Sequence, residues 1–191
     1  QRKENFVGVN QFPNFNEKID RQLCACIFEP EDETAEGAEI ETLKPYRGPA
    51  AFEAMRLQTD AFSAKNGRPV VYMFPMGNLA MRKARAQFAC NFFACAGYKI
   101  IDNLGFDTVE AGVEAAVKAG AEIVVLCSSD DEYAEFAPAA YKALAGRAEF
   151  VVAGAPACAD DLKAQGIDQF VNVKSNVLET LKAFNAKLGI A

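Results

Sequence analysis

The sequence predicts a doubly wound α/β domain in the last two thirds of the chain, preceded by an extended N-terminal linker. Strand-like and helix-like segments alternate without interruption from Pro69 onward, a pattern typical of a parallel sheet with helices on both faces. The strand-like segments are mostly continuous apolar runs, as expected for strands buried on both faces. The chain has 191 residues, of which 51% are hydrophobic. It is therefore long enough for one such domain with its own core and an additional segment.

The first repeat of this domain is a βαβ unit. Residues 69–74 form an unbroken apolar run and predict the first strand. Residues 79–96 have the length and alanine content of a helix, and residues 98–102 predict the second strand. The unit sets the pattern that the rest of the domain repeats.

The remaining repeats complete a set of five strands and five helices. Three of the helices are closed by Gly120, Gly146 and Gly166, and glycine is the residue that most readily ends a helix. The predicted elements are helix 108–119, strand 122–127, helix 130–145, strand 149–153, helix 159–165, strand 169–173 and helix 176–188. Short right-handed crossovers then favour a flavodoxin-like strand order, 2-1-3-4-5.

The division of the chain follows from these segments. We assign residues 69–191 to the α/β domain. Residues 6–10 are predicted to form a short strand with no neighbouring strand to pair with. Residues 1–23 are therefore interpreted as the end of an upstream domain.

Residues 24–68 are predicted to form an acidic linker and a helix. Between residues 29 and 41 there are seven acidic residues and no basic ones, which is typical of a solvated spacer. Residues 49–65 follow a helical pattern that begins at a proline and stops before Gly67. The helix is expected to pack on the domain through Phe52, Met55, Thr59 and Phe62.

The cysteines and the absence of histidine restrict the chemistry. Most of the six cysteines lie in apolar runs, which indicates reduced core thiols and a cytoplasmic protein. Cys24 and Cys26 are separated by one residue, whereas metal knuckles and redox motifs have two or more. The chain contains no histidine, so it lacks the commonest general base and the commonest ligand of zinc, copper and cobalt. No metal site and no catalytic residue are predicted.

Charge and hydropathy exclude two classes of partner. The formal net charge is -6, whereas binding to a phosphate backbone requires clustered basic residues. No nucleic-acid partner is expected. The sequence has no apolar run of about 18 residues that would span a bilayer and no secretory pattern at its start. We therefore expect no membrane partner.

Ligands of doubly wound sheets bind beyond the carboxyl ends of the strands, where the strand order reverses. This rule places candidate contacts in the loops 75–78, 128–131 and 154–158. The first loop has neither the acidic residues of a phosphoacceptor domain nor the hydroxyls that would hold a flavin phosphate. A glycine-rich dinucleotide fingerprint is absent as well. The residues that would border such a crevice are Gly77, Ser128 and Gly154.

Basic residues follow the first of these loops. Arg82, Lys83 and Arg85 lie in the first turns of the predicted helix 79–96, where positive charge opposes the helix dipole. They indicate either a contact with an anion or an acidic partner, or a solvated basic face. The second interpretation is favoured.

Acidic and hydroxyl residues follow the third predicted strand. The segment from Ser129 to Glu132 has the spacing of a capping box, in which serine accepts from the glutamate amide and glutamate reaches back. This interpretation is favoured over an active site. Without a basic partner, the hydroxyls of Ser128 and Ser129 are not activated nucleophiles.

The first βαβ unit resembles a known family. Residues 70–105, with Met76-Gly77-Asn78-Leu79-Ala80-Met81-Arg82-Lys83-Ala84 after the first strand, are similar to the cobalamin-binding domain of methylmalonyl-CoA mutase. The likeness continues to residue 191. Upstream, residues 8–14 resemble the end of the coenzyme-A-binding barrel of that enzyme, and residues 52–59 resemble its linker.

The resemblance also implies what this sequence lacks. In the cobalamin-binding chain of the family, Met-Gly is followed after one residue by Asp-x-His-x-x-Gly. There the histidine ligates cobalt, the aspartate orients the histidine, and the glycine admits the tail of the corrin. These three positions fall on Leu79, Met81 and Ala84, none of which has the required chemistry. A second altered position is Gly154-Ala155-Pro156, where the family has paired glycines.

Some members of this family are heterodimers. In these members a small subunit binds no cofactor and pairs with a catalytic large subunit. The resemblance implies that this chain is part of such a noncatalytic small subunit. Its partner would be a large subunit that uses adenosylcobalamin to interconvert methylmalonyl-CoA and succinyl-CoA. Phe88, Phe92 and Phe93 would either contact that partner or pack on the sheet of their own domain, and packing is favoured.

Two other functions compete with this interpretation. The first is a small-molecule or anion binder that uses the crevice beside Gly77, with Arg82, Lys83 and Arg85 as its basic residues. The second is a cobalamin enzyme without a protein ligand to cobalt, which bulky Leu79 and Met81 disfavour.

Overall fold

A computed structural model describes residues 4–17 and 48–190. Five parallel strands form one sheet in the order β2-β1-β3-β4-β5, so the predicted flavodoxin-like order is confirmed. The strands are β1 Val70–Pro75, β2 Lys99–Ile101, β3 Ile123–Cys127, β4 Glu149–Ala153 and β5 Phe170–Val171. The helices are α1 Ala50–Asn66, α2 Leu79–Ala94, α3 Val109–Lys118, α4 Tyr133–Leu144, α5 Ala159–Ala164 and α6 Val177–Lys187.

The central strands match their predicted bounds closely, and the edge strands are shorter than predicted. β1 pairs with both β2 and β3, and β3 pairs with both β1 and β4. β2 and β5 each have one neighbour and contain three and two residues. An edge strand is held by hydrogen bonds on one side alone, so its pairing ends where the chain turns away. The apolar content of a segment does not predict where the pairing of an edge strand ends.

The side chains of β1 alternate between two cores. Val71 and Met73 point into a core that also contains residues of α1, α2 and α6. Tyr72 and Phe74 point to the opposite face, into a core with residues of α3, α4 and α5. Successive residues of a strand face opposite sides of the sheet. Both faces of β1 are therefore covered, as the continuous apolar run predicts.

The phenylalanines of α2 lie in the first of these cores. Phe92 and Phe93 are completely buried, and the ring of Phe93 packs edge-on against Phe184 of α6 with centroids 5.3 Å apart. Phe88 is half-buried against the same core. Packing on the sheet is therefore the role that this face has in the domain. The partner contact was the less favoured alternative, and the burial of Phe92 and Phe93 excludes it for those two side chains.

Helix α1 packs on the domain as predicted. Met55 and Thr59 are buried, and Phe52 and Phe62 lie half-buried against the first core. Asp60 of the same helix forms an ion pair with Arg68. Arg68 also donates to the carbonyl oxygen of Gly97, so the ion pair ties α1 to the turn before β2.

The predicted strand at residues 6–10 is wrong. The backbone turns between Val7 and Gln11, with a single bridge between these two residues. Gly8 has a φ of 83°, which favours a turn. The Asn10 side chain accepts from the amide of Phe6 at 2.9 Å. The Asn10 side-chain amide thus forms hydrogen bonds with the local backbone, in place of those that a neighbouring strand would form.

Arg56 holds the N-terminal segment against α1. Its side chain is 5% exposed, and its Nη2 donates to the carbonyl oxygens of Asn14 at 2.7 Å and Glu17 at 3.0 Å. Burial lowers the pKa of the guanidinium, but two carbonyl acceptors compensate part of the cost of burying a charge. Residues 4–17 are thus attached to the domain through an ionic side chain.

Some predictions fall outside the described residues. These are the Cys24 and Cys26 pair and the acidic stretch 29–41. Three of the described cysteines, Cys90, Cys95 and Cys127, are buried as predicted, and burial raises the pKa of the Cys90 thiol to about 12. None of the helices in the described ranges has the length and apolar character that a bilayer crossing requires.

Candidate functional site

The three candidate loops converge at the carboxyl edge of the sheet. The Met76 amide donates to the carbonyl oxygen of Cys127 at 2.9 Å, and the Ser128 hydroxyl donates to the carbonyl oxygen of Met76 at 3.0 Å. The Tyr133 hydroxyl connects the third loop, since it donates to the carbonyl oxygen of Ala153 at 2.6 Å. The Tyr133 hydroxyl oxygen in turn accepts from the Ser128 amide at 3.0 Å. The loops are held together by hydrogen bonds of buried groups.

Glu132 is the centre of this edge. Its Oε2 accepts from the hydroxyls of Ser128 at 2.6 Å and Ser129 at 2.7 Å, and from the Ser129 amide at 3.2 Å. The Asn78 amide, at the start of α2, donates to both carboxylate oxygens at 3.1 and 3.2 Å. A carboxylate that accepts several hydrogen bonds is favoured in its charged form. The bonds from Ser128 and Ser129 lower the pKa of Glu132 to about 2.

The backbone at Gly77 passes directly beneath this carboxylate. Gly77 has a φ of 66°, a left-handed conformation that glycine adopts without strain. A methyl group built on its α-carbon would overlap with the carboxylate of Glu132. The turn therefore needs glycine for both its conformation and its space. The space directly above Gly77 is occupied by the Glu132 carboxylate.

Only half of the predicted capping box forms. Glu132 does reach back to the Ser129 amide. The Ser129 hydroxyl, however, donates to the carboxylate instead of accepting from the glutamate amide, and that amide pairs with the Ser129 carbonyl oxygen at 3.2 Å. Helix α4 consequently begins at Tyr133, three residues after its predicted start. The carboxylate attracts both hydroxyl protons because it is ionised.

The basic residues of α2 are held by the chain. Arg85 forms an ion pair with Asp130, with Nη2 to carboxylate distances of 3.0 and 3.1 Å. Arg82 donates to the carbonyl oxygen of Gly77 at 3.2 Å, and its guanidinium lies against Gly105. Lys83 is exposed. Arg82 and Arg85 therefore bind neighbouring loops of the same chain. The sequence interpretations, an external anion or a solvated basic face, did not include these contacts.

The three motif positions lie on the outside of α2. Leu79 is 55% exposed and Met81 is 37% exposed, and Ala84 is exposed as well. Asn78 caps the helix, since its side-chain oxygen accepts from the amides of Ala80 and Met81, each at 3.1 Å. The structure thus brings Gly77, Ser128 and Gly154 to one edge and leaves Leu79, Met81 and Ala84 on the surface beside it.

The serine hydroxyls have a carboxylate neighbour that is a poor base. A general base works best when its pKa is near the working pH, and the pKa of Glu132 is about 2. Glu132 is therefore a weak base towards the hydroxyls of Ser128 and Ser129. Within residues 4–17 and 48–190, no three metal-ligating side chains gather into a group that would hold an ion.

Sequence reasoning missed the position of Glu132 over Gly77. Glu132 and Asn78 are 54 residues apart, so no local pattern connects them. The available signals were a lone glycine in the first loop and an acidic run beginning at Asp130, three residues after the end of the third strand. In a parallel sheet of this order, those two loops are neighbours.

Replacing Glu132 with glutamine is expected to reduce stability in a pH-dependent way. The folded pKa of about 2 lies below the ordinary value of 4.5, so the ionised carboxylate stabilises the fold above pH 4.5. That contribution is lost as the pH falls towards 2. At pH 7 we expect the free energy of unfolding to fall by about 1–2 kcal/mol, since hydrogen bonds to a charged but solvent-accessible group are replaced by weaker ones.

Urea denaturation of both proteins between pH 3 and pH 7 measures this effect. The difference in free energy of unfolding between the unmodified chain and Glu132→Gln should narrow steadily below pH 4.5. Glu135→Gln, at an exposed position of α4, is the matched control and should show little difference at any pH. A constant gap over the whole range would mean that Glu132 contributes no charge-dependent stability.

Known proteins show similarity over nearly the whole sequence. No protein-family model matches the chain. It is 60% identical over 190 residues to the methylmalonyl-CoA mutase small subunit of Porphyromonas gingivalis, an alignment that covers 99% of this chain. It is also 31% identical over 194 residues to the protein of the same name from Streptomyces virginiae. The alignments cover 30% and 29% of these relatives, so the chain spans less than a third of their length. The resemblance to the mutase small subunit is confirmed.

Proposed function

We propose that this chain is a noncatalytic, structural part of a methylmalonyl-CoA mutase small subunit. It would support a cytoplasmic large subunit that carries adenosylcobalamin and interconverts methylmalonyl-CoA and succinyl-CoA. The observation that carries the proposal is the 60% identity to the small subunit of Porphyromonas gingivalis along 99% of this chain. Identity at this level over a whole domain supports a shared fold and a shared place in the assembly.

The residues of this chain do not fit cobalamin. The sequence has no histidine to ligate cobalt, and the motif position that would carry it is Met81, a partly exposed thioether on the outer face of α2. A thioether is a soft ligand that differs in preference from an imidazole nitrogen. The position of the glycine that admits the corrin tail is Ala84, and the neighbouring Gly77 turn is covered by the Glu132 carboxylate. No step of the reaction is therefore assigned to this chain.

The structural role rests on a domain that keeps complete cores on both faces of its sheet. Both cores are continuous, and hydrogen bonds within the chain join the loops at the carboxyl edge of the sheet. A domain with an intact fold and an altered crevice is suited to holding an assembly together. The word small in the names of both relatives also implies a larger partner.

An anion or small-molecule binder is the less favoured function. It would need free basic groups beside Gly77. Arg85 is paired with Asp130, and Arg82 donates to the Gly77 carbonyl oxygen. The crevice therefore offers an external anion little positive charge that is not already engaged.

A chimeric small subunit tests the proposed role. The segment of the Porphyromonas gingivalis small subunit that aligns with this chain would be replaced by this chain, and the chimera mixed with the large subunit of the same organism. We expect co-elution on gel filtration, mutase activity close to that of the natural pair, and cobalamin bound in the amount that the large subunit alone accounts for.

The natural small subunit is the positive control, and a version that lacks the segment is the negative control. A chimera with a native circular dichroism spectrum that stays separate from the large subunit would contradict the proposal. Activity equal to that of the deletion version would contradict it too.

A further inference from the structure

We propose that Glu132 is a built-in occupant of the crevice at the carboxyl edge of the sheet, where its side chain takes the place of the anionic group of a ligand and closes the crevice. This inference goes beyond the proposed function. Loss of a cobalt ligand alone would leave the crevice open to other molecules. An internal carboxylate in this place excludes them as well.

The position of the carboxylate supports this role. β1 and β3 are neighbours in the sheet, and the chain leaves them in helices on opposite faces. This is the switch point where doubly wound sheets receive their ligands. Negative groups of such ligands bind backbone amides at the N-terminus of the helix that follows the first strand. In this chain the amide at that place belongs to Asn78, and Glu132 is its acceptor.

The hydrogen-bonding groups around the carboxylate are all engaged by it. Asn78 and Ser129 offer their amides, and Ser128 and Ser129 offer their hydroxyls. All four contacts reach Oε2, and the Asn78 amide also reaches Oε1. The Ser128 hydroxyl has one proton, which it shares between Glu132 and the carbonyl oxygen of Met76. An external anion would have to displace Glu132 before it could use any of them.

Space and charge act in the same direction. The carboxylate lies on Gly77 so closely that a single methyl group would not fit between them. The Glu132 carboxylate is negative at neutral pH and repels a second anion, and its hydrogen bonds, which lower its pKa, keep it charged in mild acid as well. It also joins the loop after β1 to the loop after β3, so that the two sides of the crevice cannot separate while these bonds remain.

Removal of the side chain tests the proposal, with inorganic phosphate as the probe. In Glu132→Ala the amides of Asn78 and Ser129 and the Ser129 hydroxyl lose this acceptor, while the Ser128 hydroxyl keeps the carbonyl oxygen of Met76. We expect the amide nitrogen and proton signals of Asn78 and Ser129 to shift with phosphate and to saturate in the millimolar range. The unmodified chain and Glu135→Ala, which removes an exposed glutamate of the same helix, should show no saturable shift. Glu132→Gln keeps a side chain of the same shape in the crevice, so its amide signals should also show no saturable shift with phosphate.

A folded Glu132→Ala variant with no saturable shift at these two amides would overturn the proposal. The phosphate titration involves neither cobalamin nor a partner subunit, so its failure is distinct from failure of the proposed function.

A second variant covers the case in which Glu132→Ala does not fold. Gly77→Ala keeps the carboxylate but places a methyl group where it now lies. We expect the carboxyl carbon of Glu132 to titrate closer to its ordinary range than in the unmodified chain, and the Asn78 amide to exchange with solvent about tenfold faster or more. An unchanged titration together with unchanged exchange would also overturn the proposal.

Discussion

Replacement of Phe93 by alanine is expected to lower the free energy of unfolding by about 3–5 kcal/mol, the range for a large aromatic residue removed from a core. Phe93 is completely buried between the sheet and α6. Its ring packs edge-on against Phe92 and Phe184, at centroid distances of 5.4 and 5.3 Å. Three rings in contact leave little freedom for the surroundings to collapse into the cavity. Urea denaturation followed by circular dichroism measures the loss.

The matched control is Leu104→Ala, at a side chain that is 87% exposed. It should change stability by less than about 0.5 kcal/mol. A small loss for Phe93→Ala, similar to that of the control, would mean that this face of α2 is not the core that the structure describes. The comparison separates a packing role from a partner contact, because a partner-contact residue would leave the isolated chain nearly unaffected.

Replacement of Gly112 by alanine is expected to lower the free energy of unfolding by about 1–3 kcal/mol, the cost of overpacking. Gly112 is buried in α3, and a β-carbon at this position would overlap with the ring of Phe74. Helix propensity acts in the opposite direction, since alanine is favoured over glycine by about 1 kcal/mol in a helix interior. The clash outweighs this gain because Phe74 is completely buried and has no free space to move into.

Phe74→Leu in the Gly112→Ala background provides the control. A smaller side chain at position 74 should restore part of the loss, so the two changes should be less damaging together than their sum. Thermal and urea denaturation of the two single variants and the double variant give this coupling. An increase in stability for Gly112→Ala alone would show that the helix and the sheet are further apart than the structure has them.

Most of the fold follows from the sequence because its signals are redundant. The apolar run of β1 predicts burial on both faces, and the structure places its alternate residues in two separate cores. Gly120, Gly146 and Gly166 follow the ends of α3, α4 and α5 and have the positive φ that such positions favour. Apolar runs and helix-ending glycines act on residues close to them in the sequence, so they can be recognised without the structure.

The errors have one physical origin. The strand predicted at residues 6–10 is replaced by a turn because the side chain of Asn10 binds the backbone of Phe6, and hydropathy does not report such bonds. The capping box was wrong in its serine half because Glu132 is an acceptor for a second loop. In both cases several conformations agree with the pattern of apolar residues, and polar contacts determine which of them forms.

Topology predicted which loops meet at the carboxyl edge of the sheet, and composition did not predict the polar contacts among them. The rule that ligands approach the carboxyl edge selected the loops that contain Gly77, Ser128 and Gly154, and these loops do meet. The partners of Arg82 and Arg85 were not predicted. Asp130 lies 45 residues from Arg85 along the chain, so their ion pair is a product of the fold.

Titration of the purified chain with adenosylcobalamin and with hydroxocobalamin is the most direct test of the proposal that this chain binds no cobalamin. The visible spectrum and the cofactor retained after gel filtration would be followed, with the large subunit of a relative as the positive control. We predict an unchanged spectrum and no retained cofactor up to high micromolar concentrations, because the chain has no histidine and Glu132 covers the Gly77 turn. Stoichiometric retention with a shifted spectrum would contradict this, and would mean that the crevice holds a corrin without a histidine ligand.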